Sequence, residues 1–412
     1  MFFVNYNRIK MIIRTHYLDQ IRPFINKPLI KAITGVRRCG KSTLLQQLVD
    51  LIRESNVEMG NIIVINKELL EFDSIKTYLD LHQYVHLKSK GRKGVVYLFI
   101  DEIKEIEHWE KAVASLLAER QFDIYITGSN ARLLSSELST LLAGRYIEFK
   151  MYPFSFREFL AISTASGRIS DPAGAFEKFI KYGGFPGLHS LEWDDIPVRQ
   201  YLESIYNTIL LKDVVIRYGI RDVYMLGKIV EYLISNCGNI TSANKISAFV
   251  KSQQKTISVD TVQNYINYTC TAFLTHQIKR YNLRGKRILE SLEKYYTCDT
   301  GLNYAVKGFS PESLPGNLEN IVLIELLSRG YKVYIGKWDE LEIDFVAEKG
   351  TEKMYLQVCT SLKEEKTIDR EYRALEVVND HFPKLVLSLD EGFDTSRKGI
   401  RWMNIKDFLL QQ

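Results

Sequence analysis

The chain has 412 residues, more than one hydrophobic core ordinarily serves, since single cores rarely grow past ~250–300 residues, so two or three domains are expected. Hydrophobic residues make up 46% and charged residues 25%, the balance of a soluble globular protein and not of a disordered or membrane one. The net charge of +5 permits nucleic-acid contact without arguing for it.

The amino end, MFFVNYNRIKMIIR, carries charges where a signal peptide has its apolar run. The longest apolar runs, such as VVYLFI at 95–100, fall far short of the ~20 residues of a membrane span. Export and membrane contact are therefore not expected. The cysteines at 39, 237, 270, 298 and 359 lie tens of residues apart with no C-x-x-C pair, so neither a disulfide framework nor a zinc cluster is indicated, and a cytoplasmic location fits. His82 and His86, four apart, share a helix face, but no third ligand is in view, and the pair reads as a solvated face rather than a metal site.

In chain order, the first informative element is LIKAIT (29–34), a short β-compatible run, followed by GVRRCGKST (35–43). Gly35, Gly40, Lys41 and Ser42 fit G-x-x-x-x-G-K-[ST]. Glycines let backbone N–H groups curl around phosphates, the lysine reaches their β and γ oxygens, and the serine hydroxyl meets Mg²⁺. Arg38, Cys39 and Thr43 complete the residues expected around ATP. Next, TLLQQLVDLIRE has apolar residues at 44, 45, 48, 49 and 52, the spacing of an amphipathic helix. Strand, loop and helix thus aim the loop amides and the helix's positive end at one anion.

GVVYLFIDEI (94–103) predicts a strand buried on both faces, with Asp101 and Glu102 at its carboxyl end, where open α/β sheets bind ligands. Asp101 is expected to hold the magnesium and Glu102 to polarise the attacking water. Alone, two acids after a strand would read as a helix amino end. The P-loop upstream tips the balance. QFDIYIT (121–127) ends in GSN, so Ser129 or Asn130 stands where a polar group can orient that water. ARLLSSELSTLLAGRYIEFK then predicts a helix breaking at Gly144 and a strand, with Arg145 either a charge at the helix carboxyl end or an arginine finger for a neighbouring subunit.

The stretches RTHYLDQIRPFINKPLIKAITGVRRCGKSTLL, IDEI with HWEKAVASLL, and TGSNARLLSSELSTLLAGRYIEFKMYPFSFREFL resemble the prokaryotic AAA-type ATPases that carry an uncharacterised carboxyl-terminal region. The P-loop is generic, and GRYIEFKMYPFSFREF is the more specific part. The resemblance extends through YGGFPGL (182–188) and LEIDFVAEKG (341–350). It implies an ASCE fold with the P-loop strand central in a parallel sheet, and ATP with Mg²⁺ as ligands, but no cellular task.

After the ATPase core (1–150), residues 151–221 predict helices with a break at ISDPAG and a turn at GGFPG, suited to a helical lid and connector. No second sensor arginine stands out, and Arg199 and Arg217 read as surface charges. Residues 222–305 predict three helices and a hairpin, a winged helix. Its third helix presents Ser258, Asp260, Thr261, Gln263 and Asn264, and its hairpin Lys279, Arg280, Arg284, Lys286 and Arg287, a pattern suited to DNA although such modules also serve for packing. Residues 306–412 predict a helix followed by strands, resembling the restriction-endonuclease fold, with Glu319 and Asp344 at the first two acidic positions. At the third, Gln357-Val358-Cys359 lacks both carboxylate and lysine, with only Lys363 nearby, so an inactive docking module is expected.

The expectation is thus an α/β protein: a P-loop ASCE parallel sheet, a helical lid, a winged helix and a carboxyl-terminal α/β nuclease-like domain. It would hydrolyse ATP, as a homo-oligomer, to drive or switch nucleic-acid- or protein-binding modules. The alternatives are an ATP-liganded DNA-binding regulator and, less favoured, a Mg-dependent nuclease.

Overall fold

Wholly buried hydrophobic strands followed by amphipathic helices dictate the amino-terminal architecture. In the computed structural model, which describes residues 3–6, 9–131, 142, 144–169, 171–392 and 396–411, the chain forms two compact units, Met1–Met151 and Tyr152–Gln412. The first is built on strands β1 (Ile30–Gly35), β2 (Ile62–Asn66), β3 (Val96–Asp101), β4 (Phe122–Gly128) and β5 (Tyr146–Met151). They pair in parallel in the order β2-β3-β4-β1-β5. Every residue of β1, β3 and β4 is buried; β3 is apolar up to Asp101, while β1 and β4 each bury one charge, Lys31 and Asp123, which pair with each other. Helix α1 (Lys41–Glu54) buries Leu44, Leu45, Leu48, Val49 and Ile52, the predicted stripe. Helix α2 (Tyr78–Ser89) starts in a Thr77–Asp80 capping box, and α3 (Trp109–Ala118) packs beside it through Val113 and Leu116 in the core cluster. The predicted helix after GSN falls on residues 132–141, outside the described residues.

In the second unit, α4 (Phe156–Ala165) opens with a Ser155–Glu158 capping box, and α5 (Pro172–Tyr182) with Pro172 behind an Asp171 cap. These are the helices expected as a lid. They belong to the second compact unit, in which α4 packs on the last helix, Ile405–Leu410, and α5 on helix Thr300–Lys307. Helix α6 (Asp195–Thr208) runs into a π-helical stretch, Ile209–Ile216. Then come α7 (Val223–Ser235), the short strand β6 (Ile240–Thr241), α8 (Ala243–Ser252), α9 (Val259–Thr271) and the hairpin β7 (Thr275–Asn282) and β8 (Arg287–Thr297). After α10 (Thr300–Lys307) and α11 (Leu314–Ser328) follow β9 (Lys332–Trp338), β10 (Leu341–Lys349), β11 (Glu352–Val358), α12 (Glu365–Glu376), β12 (Lys384–Ser388) and β13 (Arg401–Asn404). One eight-stranded sheet, ordered β13-β12-β11-β10-β9-β7-β8-β6, runs through all of them, because β9 pairs in parallel with β7. No helix among the described residues is long and apolar enough to cross a membrane.

YGGFPG forms a tight joint. Gly183 has φ +75°, and a Cβ there would meet Asp299 Oδ1 at 1.7 Å. Asp299 accepts hydrogen bonds from the Gly184 and Gly301 amides at 2.7 and 2.8 Å. Burial outweighs those bonds and pushes its carboxyl from 3.8 up to about 7. The folded state therefore binds the proton more tightly than the unfolded chain, so this contribution is full below pH 3.8 and is lost as pH rises through about 7. We expect the melting temperature of the wild type to fall across that window relative to Asp299→Asn; parallel melting profiles for the two proteins would show that Asp299 does not titrate there.

Candidate nucleotide site

The turn from β1 into α1 is shaped by its glycines. A Cβ on Gly35 would lie 2.2 Å from the Met151 carbonyl oxygen of β5, and Gly40 adopts φ +102° at the helix N-cap, so neither position admits a side chain without strain. Arg38 also has positive φ, at 67°. Lys41 is buried at the first turn of α1, and its Nζ donates to the Gly35 and Val36 carbonyls at 3.2 Å each. The same ammonium lies 3.9 Å from Glu102 Oε1. Ser42 is exposed, Thr43 half-buried and Cys39 fully buried, its thiol pushed up by burial against the opposing charges of Lys41 and Arg14.

Asp101 and Glu102 meet this loop at the carboxyl ends of the strands. Asp101 is buried and accepts from the Thr127 hydroxyl at 2.5 Å, and the Glu102 amide donates to the same hydroxyl at 2.9 Å. Thr127, on β4, thus fixes both acids through one oxygen. Glu102 holds a left-handed backbone, φ 51°, ψ 52°, a conformation a non-glycine residue adopts at some cost. Ser129 and Asn130 are buried just past the end of β4. On the loop's other flank the buried Arg14 guanidinium donates to the Cys39 carbonyl at 3.3 Å, and Gln47 of α1 ties that segment down by accepting from the Arg14 amide and donating to the Ile12 carbonyl. Sequence spacing singled out neither Thr127 nor Arg14.

Arg145 does not join this group. It is exposed at the start of β5, where its carbonyl accepts from the Ile30 amide, the amino end of β1. A strand of six residues, about 20 Å at 3.3 Å per residue, separates that edge from Gly35.

A second cluster of ionisable groups lies in the second unit. Lys294 of β8, buried, places its ammonium 3.2 Å from Glu319 of α11, and 2.9 and 3.3 Å from Glu342 and Asp344 of β10. Tyr296 donates to Glu319 at 2.7 Å, and Asp344 accepts from the Val358 amide at 2.9 Å. Burial alone would lower Lys294, but the three carboxylates outweigh it and hold the ammonium charged well above its usual range. Glu319 moves up as well, through burial and the Asp344 charge, despite Lys294 beside it. The two shifts agree once one ammonium is set against three acids: the lysine holds its proton tightly, and Glu319, facing the Asp344 charge, also holds its own more tightly than a free carboxyl. The group lines a cavity of about 910 Å³ shared with Gln357 and Lys363.

On the hairpin, Lys279, Arg284, Lys286 and Arg287 are exposed, as are Ser258, Asp260 and Asn264 of the third helix and its cap, with Thr261 and Gln263 half-buried. Arg280 departs from the expected basic surface: it is buried on the same face of β7 as Ile278, with Ile335 of β9 opposite it in the sheet.

A parallel sheet with one strand, β4, between the P-loop strand and the acid-bearing strand, and a buried lysine at the start of the following helix, define a P-loop nucleoside-triphosphatase fold. Residues 27–160 match the AAA domain family, and residues 173–313 match a domain of unknown function (DUF8612). An uncharacterised protein of Haemophilus influenzae is 37% identical over 402 residues, 97% of this chain and 99% of that one. The uncharacterised protein MJ1544 of Methanocaldococcus jannaschii is 30% identical over 385 residues, 89% and 83% of the two chains. The chain belongs to the family of these two proteins, and its amino-terminal unit carries an AAA domain. Among solved structures, the Walker-type ATPase PABY2304 of Pyrococcus abyssi is similar at 13% identity and a TM-score of 0.49, over 71% of this chain and 94% of that one.

Proposed function

We propose that the protein binds ATP with magnesium and hydrolyses it, and that turnover drives or switches nucleic-acid- or protein-binding modules in the second unit. The observation that carries this reading is Lys41 of the glycine-bounded loop, 3.9 Å from Glu102, with Thr127 bonded to the Asp101 carboxylate and the Glu102 amide. Gly35, Arg38, Cys39, Gly40, Lys41, Ser42 and Thr43 form the phosphate cradle, with α1's positive end behind it. The donor set fits magnesium, a hard cation that takes oxygen ligands: the exposed Ser42 hydroxyl and the Asp101 carboxylate would hold it. Bound there, the ion would neutralise phosphate charge. Lys41 shifts its ammonium from loop carbonyls to phosphate oxygens, Glu102 accepts a proton from the attacking water, and Asn130 orients that water. Arg145, a strand's length from its own loop, acts on the nucleotide of a neighbouring subunit.

Arg14 positions the loop. A charge-assisted hydrogen bond is worth about 1.5–3 kcal/mol, so Arg14→Ala should weaken ATP binding by about tenfold or more, read by fluorescent-nucleotide titration. Unchanged affinity would remove Arg14 from the cradle.

The exposed basic residues of β7, β8 and their turn, together with the exposed polar residues Ser258, Asp260 and Asn264 of α9 and its cap, favour a second reading, a winged helix on DNA with ATP as a structural ligand. ATPase rate against protein concentration, with and without DNA, tests both. Turnover that rises with concentration supports the oligomeric ATPase. Undetectable hydrolysis beside salt-sensitive DNA binding supports the regulator. A magnesium nuclease is disfavoured, because Lys294 already supplies the cation that Glu319 and Asp344 would require, and Gln357 replaces the third carboxylate.

A further inference from the structure

The helix face bearing His82 and His86 acquires a third ligand in the fold. Glu119, at the carboxyl cap of α3, brings Oε1 to 3.2 Å from His86 Nε2 and 3.6 Å from His82 Nε2, and the two Nε2 atoms are themselves 3.2 Å apart. The imidazoles sit one above the other at i and i+4 on α2, centroids 4.3 Å apart, and the His86 ring meets Phe122 edge-on at 6.1 Å. These three distances describe a triangle with a meaning. A tetrahedral zinc ion with bonds of ~2.0–2.1 Å sets its ligand atoms about 3.3 Å apart, so the three atoms form one face of such a tetrahedron. Two imidazoles and a carboxylate suit zinc and its neighbours in the first transition row, not the all-oxygen preference of magnesium.

We propose that His82, His86 and Glu119 bind a divalent transition-metal ion of the zinc class, with water in the fourth position. The half-exposed ligands, 35%, 42% and 32% accessible, leave room for that water. The Ser115 hydroxyl, 3.3 Å from His82 Nε2, borders the site. Glu119 stands just before β4, whose start marks the amino edge of the sheet, whereas the phosphate loop lies at the carboxyl edge. The ion therefore pins α2 to the end of α3 at a distance from the nucleotide and takes no part in hydrolysis.

The test is zinc titration of the chelator-stripped, full-length, nucleotide-free protein by calorimetry, repeated with cobalt read by absorption. One ion per chain is expected, with binding weakened about tenfold or more in His86→Ala and in Glu119→Gln. The cobalt spectrum should be tetrahedral and free of thiolate charge-transfer bands, which separates this site from the cysteines. Zinc should raise the melting temperature of the wild type but not of either variant, and His82→Ala should retain the basal ATPase rate. No zinc uptake in molar excess, or equal uptake and affinity in the His82→Ala/His86→Ala double variant, would overturn the assignment.

Discussion

Glu102→Gln is expected to keep ATP bound and to slow its hydrolysis by about 10²–10⁴-fold, the usual contribution of a positioned general base. Glutamine preserves the shape and the left-handed backbone that Thr127 fixes through the Glu102 amide, so the cradle is undisturbed while the proton acceptor is lost. Lys41→Ala should fail earlier, at binding. Lys41 supplies a buried ammonium that bonds the loop's own carbonyls at 3.2 Å, and without it the cradle loses the cation placed to reach the phosphate oxygens. Single-turnover hydrolysis beside equilibrium nucleotide binding separates the two effects. Normal turnover by the glutamine variant would refute the role given to Glu102, and tight ATP binding by the alanine variant would refute that of Lys41.

The parts of this site that were legible in the sequence are those whose signal is local. Gly35, Gly40 and Lys41 lie within one turn-and-helix start, and Asp101 follows directly from the strand that positions it. Thr127 and Arg14 act across sequence separations of 26 and 25 residues, and no spacing rule ties a threonine at the end of one strand to an acid at the end of another. The hairpin shows the same limit. Its basic residues were readable as a set, but Arg280 shares the buried face of Ile278 while Lys279 between them is exposed, and which face of β7 is covered is decided by distant parts of the chain. At His82 and His86 the helix period put two imidazoles on one face and read them as solvated, because Glu119, which meets both, comes from the end of a different helix. Lys294 was the least legible. The β8 strand carries a register shift between Leu289 and Lys294, and an irregularity of that kind decides which face its side chains take.

Lys294→Met should destabilise the second unit by about 3–5 kcal/mol, because removing one partner of a buried ionic group leaves the others uncompensated. For a unit of this size each kcal/mol moves the midpoint by roughly 2–4 °C, so melting should fall by about 6–20 °C. The sign of the pH dependence follows from Glu319, whose carboxyl already sits above its ordinary range. Without the ammonium it rises further, so the variant is most stable at low pH and loses stability as pH climbs through that raised value. Adding Glu319→Gln to Lys294→Met should recover part of the loss, since fewer acids then crowd the cavity. Melting curves of the wild type, the single and the double variant across pH measure all three effects. Magnesium-dependent DNA cleavage by the wild-type chain, abolished in Asp344→Ala, would mean that a metal displaces Lys294 from these carboxylates, and the reading of a lysine-filled, inactive site would fall.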